Sequence, residues 1–307
     1  MIVAPDPARP GEGLSMAADP ALRAPGVALV GAEGTRVLDG LRAGLAAAFG
    51  GSEDHFLAPP VIARAVSERA GYPNAFPHLL GTVHGTEDDG PTDLVLTSAA
   101  CHHVYPLLAG TVLGGERQFG VEAVCFRAEA TAETGRLRSF RMYEVVRFGA
   151  PEEVQRWRDR ALESAVEWVG GLGLTVEVVA ANDPFFGRPG RLLAAVQRSE
   201  ELKWELLAPV DDRQVQAIAS ANGHKDHFGA AFGLALADGS PAHSACVAFG
   251  LDRVVLALRH RHGERTGDWP AHVRQALALG PRPERTGGAA STSRGAQRAG
   301  EKGRTSR

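Results

Sequence analysis

The stretch CFRAEATAETGRLRSFRMYE, residues 125–144, contains two strand-like runs joined by a turn-forming segment. Arg127 and Glu129 are two residues apart and so point to one face of a strand, and Phe140 and Glu144 share a face of the returning strand. A protein core does not tolerate such charges unpaired. The stretch therefore predicts a two-stranded unit that is either a charged hairpin facing solvent or a phosphate-binding site.

The segments around this hairpin indicate the fold class. Short apolar runs separated by Gly, Glu and Thr predict antiparallel strands between residues 93 and 149. Further strands are predicted at residues 174–182, 202–210 and 214–222. Apolar residues at helical spacing predict helices over residues 35–49, 60–71, 151–169 and 249–261. Because strands mostly follow strands, the pattern favours an α+β fold with an antiparallel sheet flanked by helices.

Composition divides the 307 residues into three parts. Residues 1–26 are rich in Ala, Pro and Gly without periodicity, and we expect them to be poorly ordered. Residues 281–307 carry seven Lys or Arg against two Glu, which predicts a disordered basic tail. Since the whole chain has a net charge of −3, the remainder carries −8, which argues against a large nucleic-acid-binding face. Residues 27–280 are expected to form one folded domain.

Cysteine use and hydropathy bear on the cellular compartment. Cys101, Cys125 and Cys246 are an odd number at irregular spacing, which suits a reducing cytosol better than a disulfide framework. The sequence has no apolar run of about 18 residues, and its first residues lack the pattern of a secretory signal. We therefore expect a cytoplasmic protein without a membrane span.

A second charged feature lies in SACVAFGLDRVVLAL, residues 244–258. Here an apolar strand ends at Gly250 and a helix begins with Asp252 and Arg253. An arginine in the first helical turn adds to the positive end of the helix dipole, which is unfavourable unless an anion binds. The residues alone leave Arg253 as either an exposed side chain or part of an anion site.

Histidines and cysteines offer candidate metal ligands without a spacing signature. His224 and His227 are three residues apart, but two nitrogens do not complete a site. His102 and His103 are adjacent, so their rings point in different directions and at most one can join Cys101. From the residues alone, hydrogen-bonded histidines and packed thiols are the simpler interpretation.

Taken together, these segments resemble the catalytic domains of class II aminoacyl-tRNA synthetases. The second class II motif matches Phe126-Arg127-Ala128-Glu129 followed by Arg136, Phe140 and Glu144, and the third matches Gly250-Leu251-Asp252-Arg253. The strand LKWELLAPV resembles the one that carries a metal-binding glutamate, here Glu205, and AIASANGHKDHFG resembles the Ser-x-Asn stretch of seryl-type enzymes. The combination, over about residues 35–278, is far more specific than either motif alone.

Two departures narrow the resemblance. Cys101 and Cys246, together with Glu144, resemble the zinc ligands of the atypical archaeal seryl-tRNA synthetases. The segment before the sheet region is too short for a long tRNA-binding domain. The chain is therefore most similar to the bacterial amino acid:[carrier protein] ligases, which load glycine or alanine onto a phosphopantetheine carrier. The phrase GYPNAFPHLLGTVHG, residues 71–85, is also similar to that family.

The resemblance implies roles for individual residues. Arg127 would stabilise charge at the α-phosphate of ATP and Arg253 would hold the γ-phosphate, which makes them the implied catalytic pair. Further ATP contacts are implied for Glu129, Arg136, Leu137, Lys203 and Glu205, the last through Mg²⁺. Zn²⁺ on Cys101, Glu144 and Cys246 would bind the amino group of the substrate in its fourth position. The amino-acid pocket would also include Arg127, Ala217, Ile218, Ala219, Ser220 and Asn222.

The implied reaction forms an aminoacyl-adenylate from ATP and a small amino acid and then loads the phosphopantetheine thiol of a carrier protein. The family also implies a homodimer, with its first motif near residues 60–85. Two rival functions stay open: aminoacylation of another acceptor, such as tRNA or a biosynthetic intermediate, and a non-catalytic regulatory relative. The acidic body counts against tRNA. The intact Arg127, Glu129, Arg253 and zinc ligands count against a silent relative.

Overall fold

The computed structural model describes residues 14–15, 24–50, 54–85, 90–129 and 133–280. The predicted basic tail, residues 281–307, lies outside the described residues, as does most of the N-terminal segment. Within the described part, no helix is both long enough and apolar enough to span a bilayer.

Strands and helices alternate irregularly along the chain. The strands are β1 (Leu14–Ser15), β2 (Leu29–Val30), β3 (Asp54–Ala58), β4 (Val61–Ala63), β5 (Thr82–His84), β6 (Pro91–Leu96), β7 (Arg117–Phe126), β8 (Ser139–Gly149), β9 (Glu177–Ala180), β10 (Lys203–Pro209), β11 (Val215–Lys225) and β12 (His243–Gly250). The helices are α1 (Ala32–Ala48), α2 (Arg64–Arg69), α3 (Tyr72–Ala75), α4 (Pro151–Gly171), α5 (Gly187–Ser199), α6 (His227–Phe232), α7 (Leu251–His262) and α8 (Ala271–Ala276).

A central sheet organises the fold, with strand order β3-β7-β8-β12-β11-β10-β9. Strand β3 pairs parallel with β7, and every other neighbouring pair in this sheet is antiparallel. A smaller sheet has the order β4-β6-β5, and β1 pairs with β2. The α+β prediction is confirmed, with the parallel edge strand β3 as an addition that the sequence did not indicate.

The two faces of the central sheet have different partners because side chains alternate along each strand. On β8, Tyr143 and Val145 lie in a core with the buried residues of α1, α4 and α7. Phe249 of β12 is fully buried there, with ring centroids 5.3 Å from Phe49 and 5.6 Å from Trp168. Truncating such a residue to alanine costs about 3–5 kcal/mol. The opposite face packs in part against a second buried cluster, which includes Val146 and Phe148 of β8, and also carries polar side chains.

The predicted helix over residues 60–71 is wrong in its first half. Val61–Ala63 forms β4, which pairs with Leu94–Leu96 of β6, and the helix α2 begins only at Arg64. Pro60 therefore precedes a strand rather than opening a helix. Local periodicity does not show that a distant strand is available for pairing, so the tertiary contact overrides it.

One boundary and one further helix differ from the sequence prediction. The last predicted helix starts at Leu251 rather than Phe249, because Phe249 and Gly250 still pair with β8. Helix α5, Gly187–Ser199, was not predicted, since Gly and Pro near its start are typical of turns.

Candidate active site

Two rows of residues cross the face of the central sheet that lies opposite α1, α4 and α7. The strand register places Glu144, Ala248, Ser220 and Glu205 side by side across β8, β12, β11 and β10. The next row on the same face contains Cys246, Asn222 and Lys203. Antiparallel pairing therefore brings together predicted site residues that are far apart in the sequence.

One end of this face is a buried thiol pocket, defined here by Cys101, Glu144 and Cys246. Their sulfur and carboxylate donor atoms all lie within 4.8 Å of one another, and all three side chains are buried. Cys101 reaches the sheet on a short 3₁₀ turn, Ala100–His103. The backbone N–H of Ala100 donates to Glu144 Oε1 at 2.8 Å, which fixes that turn against β8.

The electrostatics of the thiol pocket favour a cation. Burial, together with the neighbouring Cys246, raises the pKa of Glu144 to about 7. The pKa of Cys246 is lowered because Cys101 donates to its sulfur, and Asn222 Nδ2 donates to the same sulfur at 3.3 Å. Two sulfurs and one carboxylate form a donor set that suits Zn²⁺.

The other end of the face is a charged pocket, defined here by Arg127, Glu129, Arg136 and Arg253. Arg253 donates through Nε to Gly135 O at 2.8 Å and through Nη1 to Ala217 O at 2.9 Å. Burial, together with the positive charges of Arg127 and Arg136, lowers its pKa to about 10. The three arginines therefore repel one another unless an anion lies between them.

Arg127 and Glu129 do not lie on a strand face as predicted. Strand β7 ends at Phe126, so both residues follow it in the connection to β8. Arg136, across the same connection, contacts Glu133 at 2.7 Å and Glu129 at 3.5 Å. The charged hairpin thus projects into a pocket and is not a simple solvent-facing feature.

Arg127 borders both pockets. Its guanidinium carbon lies 5.4 Å from the centroid of the Phe140 ring, which supports the side chain from one side. Its Nε is buried and, within the described part of the chain, has no hydrogen-bond partner. A buried donor without a partner costs free energy, so this position favours binding of an acceptor.

Lys203 and Glu205 lie beside each other as predicted, but Lys203 also has a partner that the sequence did not reveal. Lys203 Nζ lies 2.5 Å from Asp183 Oδ1 and 3.1 Å from Glu205 Oε1. Burial opposes its charge, but the two carboxylates more than offset this effect and raise its pKa. Gln197 of α5 donates to Asp183 Oδ2 at 2.9 Å. The sequence signal that could have pointed to Asp183 is the turn-forming segment Asn182-Asp183-Pro184 before α5.

The residues predicted to line the amino-acid pocket are divided between the two pockets. Ala217, Ile218 and Ala219 line the charged pocket together with Leu137. Ser220 lines both pockets, and Asn222 lines the thiol pocket. In this arrangement, Ser220 and Asn222 are the members of the predicted set that face the cysteines.

The histidines are separated by the fold. His103 Nε2 lies 2.9 Å from Thr97 Oγ1, and His227 Nε2 lies 3.2 Å from Ala70 O, so both have ordinary hydrogen-bond partners. Burial lowers the pKa of His102, which lines the thiol pocket, to about 3 and keeps it neutral. His224 contacts the sulfur of Cys246 at 3.5 Å and was not predicted to do so.

A buried ion pair positions the helix that carries Arg253. Asp252 accepts a hydrogen bond from the backbone N–H of Arg141 at 2.5 Å, and Arg141 Nη1 contacts its other oxygen at 2.7 Å. This pair ties the first turn of α7 to β8. Sequence reasoning assigned Asp252 only to a motif and gave no role to Arg141.

Comparison with known proteins identifies relatives of this arrangement. No family model matches the chain. It is 43% identical over 247 residues to amino acid–[acyl-carrier-protein] ligase 1 of Bradyrhizobium diazoefficiens, covering 73% of this chain and 76% of that protein. It is 28% identical over 200 residues to the type-2 serine–tRNA ligase of Methanopyrus kandleri, covering 60% of this chain and 37% of that protein.

Solved structures agree in fold. The seryl-tRNA synthetase of M. kandleri, in a complex with tRNASec from A. aeolicus, superposes with a TM-score of 0.71 at 21% identity. The match covers 86% of this chain and 60% of the synthetase. The fold is therefore that of the class II synthetase catalytic domain. From the extent of the first similarity, the chain is a ligase and belongs to the amino acid–[acyl-carrier-protein] ligase family.

Proposed function

We propose that the chain activates a small amino acid, glycine or alanine, with ATP and passes the aminoacyl group to the phosphopantetheine thiol of a carrier protein. The observation that supports this most directly is the position of Arg127, which borders both the charged pocket and the thiol pocket. A carboxylate held in one pocket and an α-phosphate held in the other would meet at this guanidinium. The relative in Bradyrhizobium is named for the same acceptor class.

The charged pocket is proposed to bind ATP. Arg127 and Arg253 would stabilise phosphate charge, and binding of an anion would relieve the repulsion among the arginines. Glu129, Arg136 and Leu137 would contact the rest of the nucleotide from the β7–β8 connection. Glu205 would hold Mg²⁺ together with the phosphates, and Lys203 beside it would add a positive charge.

The thiol pocket is proposed to hold Zn²⁺ through Cys101, Glu144 and Cys246. When bound, Zn²⁺ supplies a Lewis acid that can coordinate the unprotonated amino group of the substrate. Ser220 and Asn222 would line the space for the side chain. Arg127 would then orient the carboxylate toward the nucleotide.

The proposed reaction has two chemical steps. A carboxylate oxygen attacks the α-phosphorus of ATP, so that a C–O–P bond forms and pyrophosphate leaves. The carrier's thiol, after losing its proton, attacks the carbonyl carbon of the adenylate, so that a thioester forms and AMP leaves. Positive charge from Arg127 at the α-phosphate assists both steps, because negative charge accumulates on this phosphate in each of them.

Amino-acid-dependent exchange between ATP and labelled pyrophosphate tests this proposal. We expect exchange with glycine or alanine, loss of exchange after removal of Zn²⁺ by a chelator, and recovery when Zn²⁺ is returned. Labelled amino acid should then appear on a phosphopantetheinylated carrier protein and not on the same carrier without its prosthetic group. Exchange followed by labelling of tRNA alone would contradict the proposed acceptor, and no exchange with any amino acid would contradict the proposed activation.

A further inference from the structure

His224 occupies a position between the thiol pocket and the core beneath it. Its Nε2 lies 3.5 Å from the sulfur of Cys246. Its Nδ1 lies 3.0 Å from Ser244 Oγ and 3.2 Å from Tyr105 Oη. Tyr105 and Ser244 are both buried, at 0% and 1% exposure, so these contacts are shielded from water.

The hydrogen-bond partners indicate which nitrogen of the His224 ring carries a hydrogen. A metal-bound cysteine is a thiolate, which can only accept hydrogen bonds, and Asn222 Nδ2 already donates to this sulfur at 3.3 Å. His224 Nε2 must therefore carry a hydrogen, or its lone pair would face that of the sulfur. Nδ1 is then the acceptor, and both hydroxyl groups beside it are able to donate. The Nε2–H tautomer therefore fits the contacts on both sides of the ring, with one hydroxyl at a time donating to Nδ1.

Packing holds the ring in this orientation. The Phe228 ring lies 5.0 Å from the His224 ring at an interplanar angle of 80°, and Phe228 in turn stacks on Tyr105 at 4.0 Å. Tyr105 thus contacts the imidazole both through its hydroxyl and through Phe228. The contacts leave the imidazole little freedom to turn away from Cys246.

We propose that His224 is a positioning residue for the metal site: it donates from Nε2 to the Cys246 thiolate, and Tyr105 and Ser244 fix its tautomer from behind. The inference rests on the metal site of the proposed function. A hydrogen bond of this kind orients the ligand and tunes its donor strength, and loss of such a partner typically weakens metal binding 10–100-fold.

Competition for Zn²⁺ between the full-length protein and a chromophoric chelator tests the proposal. We compare wild type with His224→Leu, which removes the donor, and His224→Gln, whose amide N–H reaches a similar position. His227→Leu is the matched control, because His227 also packs edge-on against Phe228, at 4.7 Å, but bonds to Ala70 O. We expect a 10–100-fold loss of Zn²⁺ affinity in His224→Leu, a smaller loss in His224→Gln and wild-type affinity in His227→Leu.

The Co²⁺-substituted proteins provide a readout that a merely structural role would not move. A hydrogen bond lowers the energy of the sulfur lone pair, so its loss should shift the sulfur-to-cobalt charge-transfer absorption of His224→Leu to longer wavelength. Tyr105→Phe, which removes one hydroxyl but keeps the ring, should shift the band in the same direction by less. This second variant tests the proposal even if His224→Leu does not fold.

Two results would overturn the inference, and a third would overturn the proposed function on which it rests. His224→Leu with wild-type affinity and an unshifted band would show that the contact does not act on the metal. Equal losses in His224→Leu and His227→Leu would show that the effect is packing around Phe228. Wild-type protein that binds no stoichiometric Zn²⁺ would instead refute the metal site of the proposed function, which distinguishes that failure from a failure of this inference.

Discussion

The two pockets of the site differ in how they are built. The charged pocket holds partly exposed groups, such as Arg136 and Glu129 with 33% and 35% of their side-chain surface exposed, in contact with each other. The thiol pocket holds Cys101, Glu144 and Cys246 at 5%, 2% and 2% exposure. Water therefore screens the Arg136–Glu129 pair more strongly than the three buried donor groups of the thiol pocket.

This difference implies two kinds of recognition. The exposed groups of the charged pocket, such as Arg136 and Glu129, can exchange one partner for another at low cost, although Arg253 is buried and bonded to two carbonyls. The donor groups of the thiol pocket are all buried and lie close together, so they select by donor type and geometry. We therefore expect substitutions in the thiol pocket to abolish the site, and substitutions in the charged pocket to weaken it by degrees.

The largest expected effect comes from Cys101→Ser. A hydroxyl is a poor substitute for a thiolate ligand, so both stoichiometric Zn²⁺ and amino-acid-dependent pyrophosphate exchange should be lost together. Metal analysis and exchange on the same sample measure this. Cys125→Ala, at a buried cysteine on β7 outside the donor group, is the control and should keep both. Full retention of zinc in Cys101→Ser would break the ligand assignment and the contrast between the pockets.

A graded loss is expected for Arg127→Ala. Removing a preorganised positive group at the α-phosphate should lower the exchange rate about 10²–10³-fold, equivalent to about 3–4 kcal/mol, with Zn²⁺ content unchanged. Steady-state exchange and metal analysis measure the two parts. Arg156→Ala on α4, whose side chain is 59% exposed, is the control and should behave as wild type. A loss of Zn²⁺ in Arg127→Ala would mean that the two pockets are not separable.

The buried carboxylate predicts a pH dependence of stability in the metal-free protein. The pKa of Glu144 rises from 4.5 in the unfolded chain to about 7 in the folded protein because of burial. Between pH 4.5 and about 7 the folded state holds a proton that the unfolded state has released, so the contribution of Glu144 to stability is greatest below pH 4.5 and falls as the pH rises to about 7. The contribution is about 3 kcal/mol.

Chemical denaturation of metal-free wild type and Glu144→Gln across this pH range checks the sign. The amide of glutamine occupies the same space without titrating, so the difference in unfolding free energy between the two proteins isolates Glu144. Wild type should lose stability relative to the variant as the pH rises. A difference that stays constant with pH would show that Glu144 is not held protonated, and the thiol pocket would then resemble the charged pocket more than the structure indicates.

The smallest effect is expected from removal of residues 281–307. The composition of this segment predicts a solvated basic tail that contributes to neither pocket. Pyrophosphate exchange and Zn²⁺ content should match those of the full chain. A strong fall in exchange would instead assign the tail's positive charge a part in nucleotide binding.

Much of the charged pocket was predictable because its residues lie in two short segments. Arg127, Glu129 and Arg136 fall within ten residues, and Arg253 begins a helix with a recognisable entry. What the sequence did not show is their environment. Arg253 bonds to the carbonyls of Gly135 and Ala217, and neither contact has a local signature.

The residues of the thiol pocket, in contrast, could not be recognised from local sequence. Cys101 and Cys246 have no metal-binding spacing, and without a family resemblance they would be interpreted as packed thiols. Strand register decides otherwise, because β12 places Cys246 beside Val146 of β8 and the 3₁₀ turn brings Cys101 over Glu144. Asp183, Arg141 and the contact of His224 with Cys246 were missed for the same reason, since each involves a partner distant in sequence.

The sequence by itself determined most of the strand-forming runs, the amphipathic helices and the motif residues, since these depend on local periodicity and residue type. Only the tertiary structure decided which strand pairs with which, that residues 61–63 form a strand, and that two buried thiols and a buried carboxylate lie close together. Pairing between distant segments depends on burial and hydrogen bonds that no short window of sequence contains. The motif residues could therefore be predicted from sequence, whereas the geometry of the proposed metal site required the fold.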